Sequence, residues 1–147
     1  MKENRTLYTT LVLVTDQFTC SRIIKAASVI SELSKTRLLV LSVMRDGAQI
    51  NPQALEHLFE VAREYDAQMS VEFSDNPEAA IVHFMRENHV VNAITGIPKD
   101  ETSILVHMWN TIPNMRFFTV TEEGELREVI EREYQLWKDS FEAFSKM

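Results

Sequence analysis

Five apolar runs alternate along this chain with stretches whose apolar residues recur at helical spacing, and that alternation restricts the fold more than any other feature. The first run covers residues 7–15, with Leu11-Val12-Leu13-Val14 at its centre; the second is Leu38-Leu39-Val40-Leu41-Ser42-Val43-Met44. Continuous runs rich in branched residues suit parallel strands covered on both faces. Met69-Ser70-Val71-Glu72-Phe73 alternates strictly, so one of its faces meets water and the strand belongs at an edge. Val90-Val91-Asn92-Ala93-Ile94-Thr95 and Phe117-Phe118-Thr119-Val120-Thr121 complete the set. Strands separated by helices pair in parallel through right-handed crossovers. The predicted fold class is therefore α/β: a single doubly wound, five-stranded parallel sheet with an additional C-terminal helix.

The helices carry their own start signals. Asn51-Pro52 and Asn76-Pro77 each read as an N-cap followed by proline in the first turn, where a missing N–H costs nothing. Beyond the first, Leu55, Leu58, Phe59 and Ala62 form an apolar stripe; beyond the second, Ile81, Phe84 and Met85 do. A helix over about 20–35 is expected to bury Ile23, Ala27, Ile30 and Leu33, and one over about 102–112 to offer Ile104, Leu105, Met108 and Trp109. Residues 1–121 form the α/β unit, and 122–147 read as one amphipathic helix. In that segment Leu126, Ile130, Tyr134, Trp137, Phe141 and Phe144 recur at spacings of 4, 4, 3, 4 and 3. Two placements are open: docked on its own sheet with a solvated acidic face, or packed through its aromatic stripe on a second subunit or another protein.

Composition removes several function classes. At 147 residues the chain is about one domain, and its net charge of −7 disfavours sequence-independent nucleic-acid binding. The single Cys20 forms no internal disulfide, which favours a reducing, cytoplasmic home. Apolar stretches of five to seven residues fall far short of the roughly 20 needed to span a bilayer, so no membrane insertion is expected. Met-Lys-Glu-Asn-Arg leads into a strand without a cleavage-type ending, and no signal peptide is read there. With three glycines in all, Gly47, Gly96 and Gly124, neither a P-loop nor a G-x-G-x-x-G loop can be built. His57, His83, His89 and His107 show no ligand spacing, so no metal site is expected, and no G-x-S-x-G elbow supports a hydrolase.

In an open parallel sheet, ligands bind beyond the carboxyl ends of the strands where strand order reverses. The turns to weigh are therefore 15–21, 45–47 and 95–100. Asp16 is the most suggestive residue there: its carboxylate suits a ribose hydroxyl or Mg²⁺, and equally suits capping the next helix. Thr19 and Ser21 could meet a phosphate or cap a helix; Cys20 could be a reactive thiol or a partly buried bystander; Lys99 could pair with phosphate or stay solvated.

With strands and turns in place, residues 8–121 resemble the universal stress protein family. Leu11-Val12-Leu13-Val14-Thr15-Asp16-Gln17-Phe18-Thr19-Cys20-Ser21-Arg22-Ile23-Ile24-Lys25-Ala26-Ala27 carries the likeness best, with Asp16 and Ser21 at the family's spacing. Leu41-Ser42-Val43 and Ile94-Thr95-Gly96 resemble its second and fourth strand ends. The resemblance implies strand order 3-2-1-4-5, and an adenine nucleotide (ATP or AMP) at Asp16, Val43, Thr95, Gly96 and Ser103. It also implies a homodimer through an exposed fifth strand, with Phe117, Phe118, Val120, Trp137 and Phe141 at the interface. The departure is in the phosphate loop. Nucleotide-binding members have G-x₂-G-x₉-G-[S/T], and here Gly96 is followed by Lys99, Trp109 and Asn110 at the later places. Members without those glycines are non-ATP-binding. The expectation is a non-enzymatic, stress-response-type regulatory protein without a bound cofactor, acting through protein contacts, with a nucleotide sensor as the alternative. A phosphoacceptor receiver shares the strand order, and Asp16, Asp75 and Thr95 partly comply, but no lysine follows the fifth strand.

Overall fold

The computed structural model describes residues 7–145, with side chains through 143. Its elements run β1 (Thr9–Leu13), α1 (Ser21–Ser34), β2 (Arg37–Met44), α2 (Pro52–Glu64), β3 (Gln68–Phe73), α3 (Pro77–Glu87), β4 (Val90–Gly96), α4 (Ile104–Thr111), β5 (Arg116–Val120), β6 (Leu126–Glu128) and α5 (Tyr134–Ser145). A short 3-10 turn, Phe18–Cys20, leads into α1. The strands form one sheet in the order β3-β2-β1-β4-β5-β6. All neighbours are parallel except β5 and β6.

Side-chain alternation along the strands builds two cores. Val12, Val40, Ile94 and Phe118 face α1 and α2, where Ile23, Ile24, Leu55 and Leu58 meet them. Leu11, Leu41, Ala93 and Phe117 face the other way, onto Ile81 and Met85 of α3, Met108 and Trp109 of α4, and Trp137 of α5. Burying each such side chain contributes about 1.5–3 kcal/mol, so the central strands have to be apolar on both faces. The helix starts follow the expected chemistry: Asn51 Oδ1 accepts from Ala54 N and Asn76 Oδ1 from Ala79 N, each at 3.2 Å. At the amino ends of the strands a polar network is closed among side chains. Asn92 Nδ2 donates to Thr10 Oγ1 at 3.0 Å and Ser34 Oγ at 3.2 Å, and Thr10 Oγ1 lies 2.6 Å from Thr36 Oγ1.

Three expectations are corrected. The sheet has six strands, not five, because residues 122–147 are not helical throughout. Gly124, at φ +86°, ends a tight turn that sends the chain back as β6, with Thr121 N donating to Glu125 O at 2.9 Å. A residue of left-handed φ after two turn residues is the usual build of a three-residue hairpin loop, and glycine takes that conformation without a Cβ penalty. The helix starts only at Tyr134. Second, β5 is not an edge: Phe118 stands opposite Glu128, Thr119 opposite Arg127 and Val120 opposite Leu126. Phe117, Phe118 and Val120 are buried in the chain's own two cores, Trp137 is buried with them, and Phe141 packs partly buried alongside. Third, Leu33 points to solvent at 76% exposure, and Phe59 and Ile104 lie at the rims of their stripes. Phe144, the last residue of the expected stripe, lies outside the described side chains.

The aromatic stripe of 122–147 therefore docks on its own sheet. Trp137 meets Trp109 edge-on, with ring centroids 5.0 Å apart, and stacks on Phe141 at 5.4 Å. Arg132 plugs the carboxyl end of α4: it donates to the carbonyls of Trp109 (2.9 Å), Ile112 (3.0 Å) and Met115 (2.6 Å). A cation over the last carbonyls of a helix satisfies acceptors that have no partner within the helix.

Candidate functional site

Strand order reverses at β1: its chain leaves for α1 on one face of the sheet, and that of β4 leaves for α4 on the other. A crevice of about 380 Å³ opens there, at the carboxyl ends of β1, β2 and β4. Leu13, Leu41, Val43 and Ile81 line it from one core of the sheet, with Ile104 and Leu105 of α4, and Val14, Cys20 and Ile23 line it from the other core. Thr15, Gln17, Arg22 and Lys99 supply the polar groups, beside Thr95 and Gly96.

Of the five expected nucleotide contacts, the structure brings three to this crevice. Val43, Thr95 and Gly96 line it. Thr95 is buried and its hydroxyl donates to the Gly96 carbonyl at 2.7 Å, so it is turned along the strand. Asp16 does not line the crevice. Its Oδ2 accepts the main-chain N–H of Asn51 at 2.6 Å, which ties the turn after β1 to the start of α2. Ser103 is the N-cap of α4, its Oγ accepting from Leu105 N at 3.2 Å. A methyl group at Gly96 would meet only Ile23 Cδ1, at an ordinary 3.5 Å, so nothing approaches this glycine closely enough to require it.

The loop between β4 and α4 decides what the crevice can hold. A polyphosphate needs main-chain N–H groups that are free to point at it. Pro98 has no N–H. Thr102 N donates to Asp100 Oδ1 at 2.9 Å, and the Thr102 hydroxyl donates to the same oxygen at 2.5 Å. Ser103 N donates to Asp100 O at 3.2 Å, and Leu105 N is held by Ser103 Oγ. The Asp100 carboxylate is thus an anion already seated in the loop, held below the ordinary carboxylate range chiefly by the Thr102 hydroxyl and then by its amide. The sequence contains Asp100 and Pro98, and a D-x-T turn following proline is the signal for a loop in which a carboxylate engages the amide two residues on.

Arg22 is the site residue that the sequence least announces. Its Nε donates to Thr121 O at 2.8 Å and its Nη1 to Thr19 O at 2.7 Å. Two neutral carbonyls fix the guanidinium without neutralising it, so its charge stays at the crevice mouth. Cys20 is buried, with its sulfur 3.6 Å from Thr15 Oγ1. Farther out, Asp46 and Asp75 meet at the ends of β2 and β3. The carboxyl-to-carboxyl hydrogen bond, then burial and like charge, push Asp46 up. Asp16, the acid a phosphoacceptor would need after the first strand, is engaged by Asn51 N–H instead. Among the described residues, no group of three or more His, Cys, Asp or Glu is placed to hold a metal ion. No helix there is long and apolar enough to cross a membrane.

No family model matches the chain, and neither does any curated protein. Among the solved structures to which the chain is similar is the crystal structure of a protein from the universal stress protein family from Burkholderia pseudomallei. The two are 14% identical with a TM-score of 0.48, over 67% of this chain and 88% of that one. At that distance no residue role carries over.

Proposed function

We propose that the chain is a non-enzymatic regulatory binding protein of the universal stress type, one whose crevice does not hold ATP in the usual way. The observation that carries this reading is the Asp100 carboxylate, which engages the Thr102 amide and hydroxyl inside the loop a triphosphate would have to enter. The displacement of Asp16 onto Asn51 adds to it, because a ribose hydroxyl loses its acceptor. Val43, Thr95 and Gly96, which line the crevice, favour the nucleotide-sensor alternative. Isothermal titration with ATP and AMP separates the two. No saturable heat up to millimolar ligand is the expected result, and micromolar binding abolished by Asp16→Ala would establish the sensor.

The homodimer implied by the resemblance needs a different surface from the one expected. An unpaired β5 would drive association through its open hydrogen-bonding edge, but β6 occupies that edge. Pairing of β5 with a second copy requires β6 to leave. Sedimentation velocity on the full chain and on Arg127→Pro, which removes a ladder donor opposite Thr119, reads whether β6 is what prevents that association.

A further inference from the structure

The crevice, taken as closed to triphosphates in the way just proposed, still has a composition that selects a ligand. Nine of its sixteen lining residues are aliphatic and none is aromatic, so its walls suit a saturated body better than a stacked base. The side chains that carry fixed charge there are Arg22 and Lys99, both cationic. This chain has 22 carboxylates against 15 Lys and Arg, and none of the 22 lines the crevice. Two cations and no carboxylate among the lining residues set this pocket apart in a molecule of net charge −7. Its volume of about 380 Å³ is at the small end of the range of roughly 300–1,000 Å³ that ligand pockets occupy.

We propose that the crevice between β1, β2 and β4 binds a small aliphatic carboxylate, its chain on Leu13, Leu41 and Ile81 and its single anionic group at Arg22 and Lys99. A single charge matches the site. Arg22 is fixed by Thr121 O and Thr19 O, while the Asp100 carboxylate in the adjoining loop opposes a second negative charge. The aliphatic part gains from leaving water, and the charge sets orientation.

The test is calorimetric titration of the full chain with decanoate, decylammonium and ATP at pH 7, with ¹H–¹⁵N shift mapping to place the contact. Decanoate is expected to bind one to one and to shift resonances of residues 13–23 and 95–105. Decylammonium is expected to bind about tenfold more weakly or worse. Lys99→Glu, at an exposed position, is expected to weaken decanoate about fivefold, and Ile104→Glu at the mouth to weaken it as well. Both variants should melt as the parent does. Absence of saturable decanoate binding, equal affinity for decylammonium, shifts confined to another surface, or indifference to both variants would overturn the proposal. Silence of decanoate and ATP alike removes this inference and leaves the regulatory reading standing. Micromolar ATP at residues 96–105 removes that reading instead, whatever decanoate does.

Discussion

Asp16 Oδ2 accepts the main-chain N–H of Asn51 at 2.6 Å, so the carboxylate at the end of the first strand is a strut between two turns. Its partner is itself the N-cap of α2, and the pair together set where that helix begins. Asp16→Ala is expected to lower unfolding free energy by about 1 kcal/mol, the usual worth of a partly exposed hydrogen bond to a carboxylate. Urea unfolding measures the loss. Binding of decanoate in the crevice is expected to survive the substitution, because Asp16 does not line it.

Gly124 and Gly96 are expected to respond differently to alanine. Gly124 has φ +86° and open space around its Cα, so Gly124→Ala carries pure backbone strain, about 1 kcal/mol. Gly96 has an ordinary strand conformation, and a new methyl there meets only Ile23 Cδ1 at 3.5 Å. Gly96→Ala is expected to leave the melting temperature within about 1 °C of the parent, since the backbone is unstrained there and the added methyl displaces nothing. Thermal unfolding of the two variants side by side is the check.

Arg132 holds three carbonyls at once, and Arg132→Ala leaves those of Trp109, Ile112 and Met115 to water or to nothing. A loss of about 2 kcal/mol is expected, from donated charge-assisted bonds that are partly buried. Lysine is expected to recover less than half of it, because a point charge cannot fork across three acceptors. Denaturant midpoints of the two variants measure both effects.

Arg116 grips Glu128 with two parallel bonds across the β5–β6 pair, Nε to Oε2 at 2.8 Å and Nη2 to Oε1 at 2.7 Å. The side-chain bond to Arg116 holds Glu128 below the ordinary carboxylate range. A depressed folded-state pKa contributes stability that is complete above the unfolded value of about 4.3 and is lost as pH falls below it through the folded value. The contribution is about 0.5–1 kcal/mol after solvent screening. Glu128→Gln is expected to remove that part of the acid limb of the stability curve and to leave the shape above pH 6 unchanged.

Five of the six strands and four of the helices are legible in the chain because burial on both faces leaves a long, unbroken signature: Leu11 to Val14 and Leu38 to Val43 have no other comfortable place. The two Asn-Pro starts are local chemistry and appear where they are expected. The hairpin at Gly124 escapes notice because Leu126, Ile130 and Tyr134 happen to fall at spacing 4, and one left-handed glycine decides against a helix that the periodicity favours. The amino-end network is hidden for a different reason: Thr10, Thr36 and Asn92 read singly as strand residues, and only the register of β1 and β4 brings them together. In the crevice, Val43, Thr95 and Gly96 are placed by strand position alone. The fate of Asp16 depends on a donor 35 residues away coming within reach, and spacing does not encode that.

The most direct measurement is a ¹H–¹⁵N titration with Mg-ATP that follows the amides of Thr102, Ser103 and Leu105. Their donors are engaged by Asp100 and Ser103, so the three resonances are expected to stay where they are up to millimolar nucleotide. Saturating shifts of these amides at micromolar ATP would show that the loop releases its own anion for a phosphate, and would contradict the account at its centre.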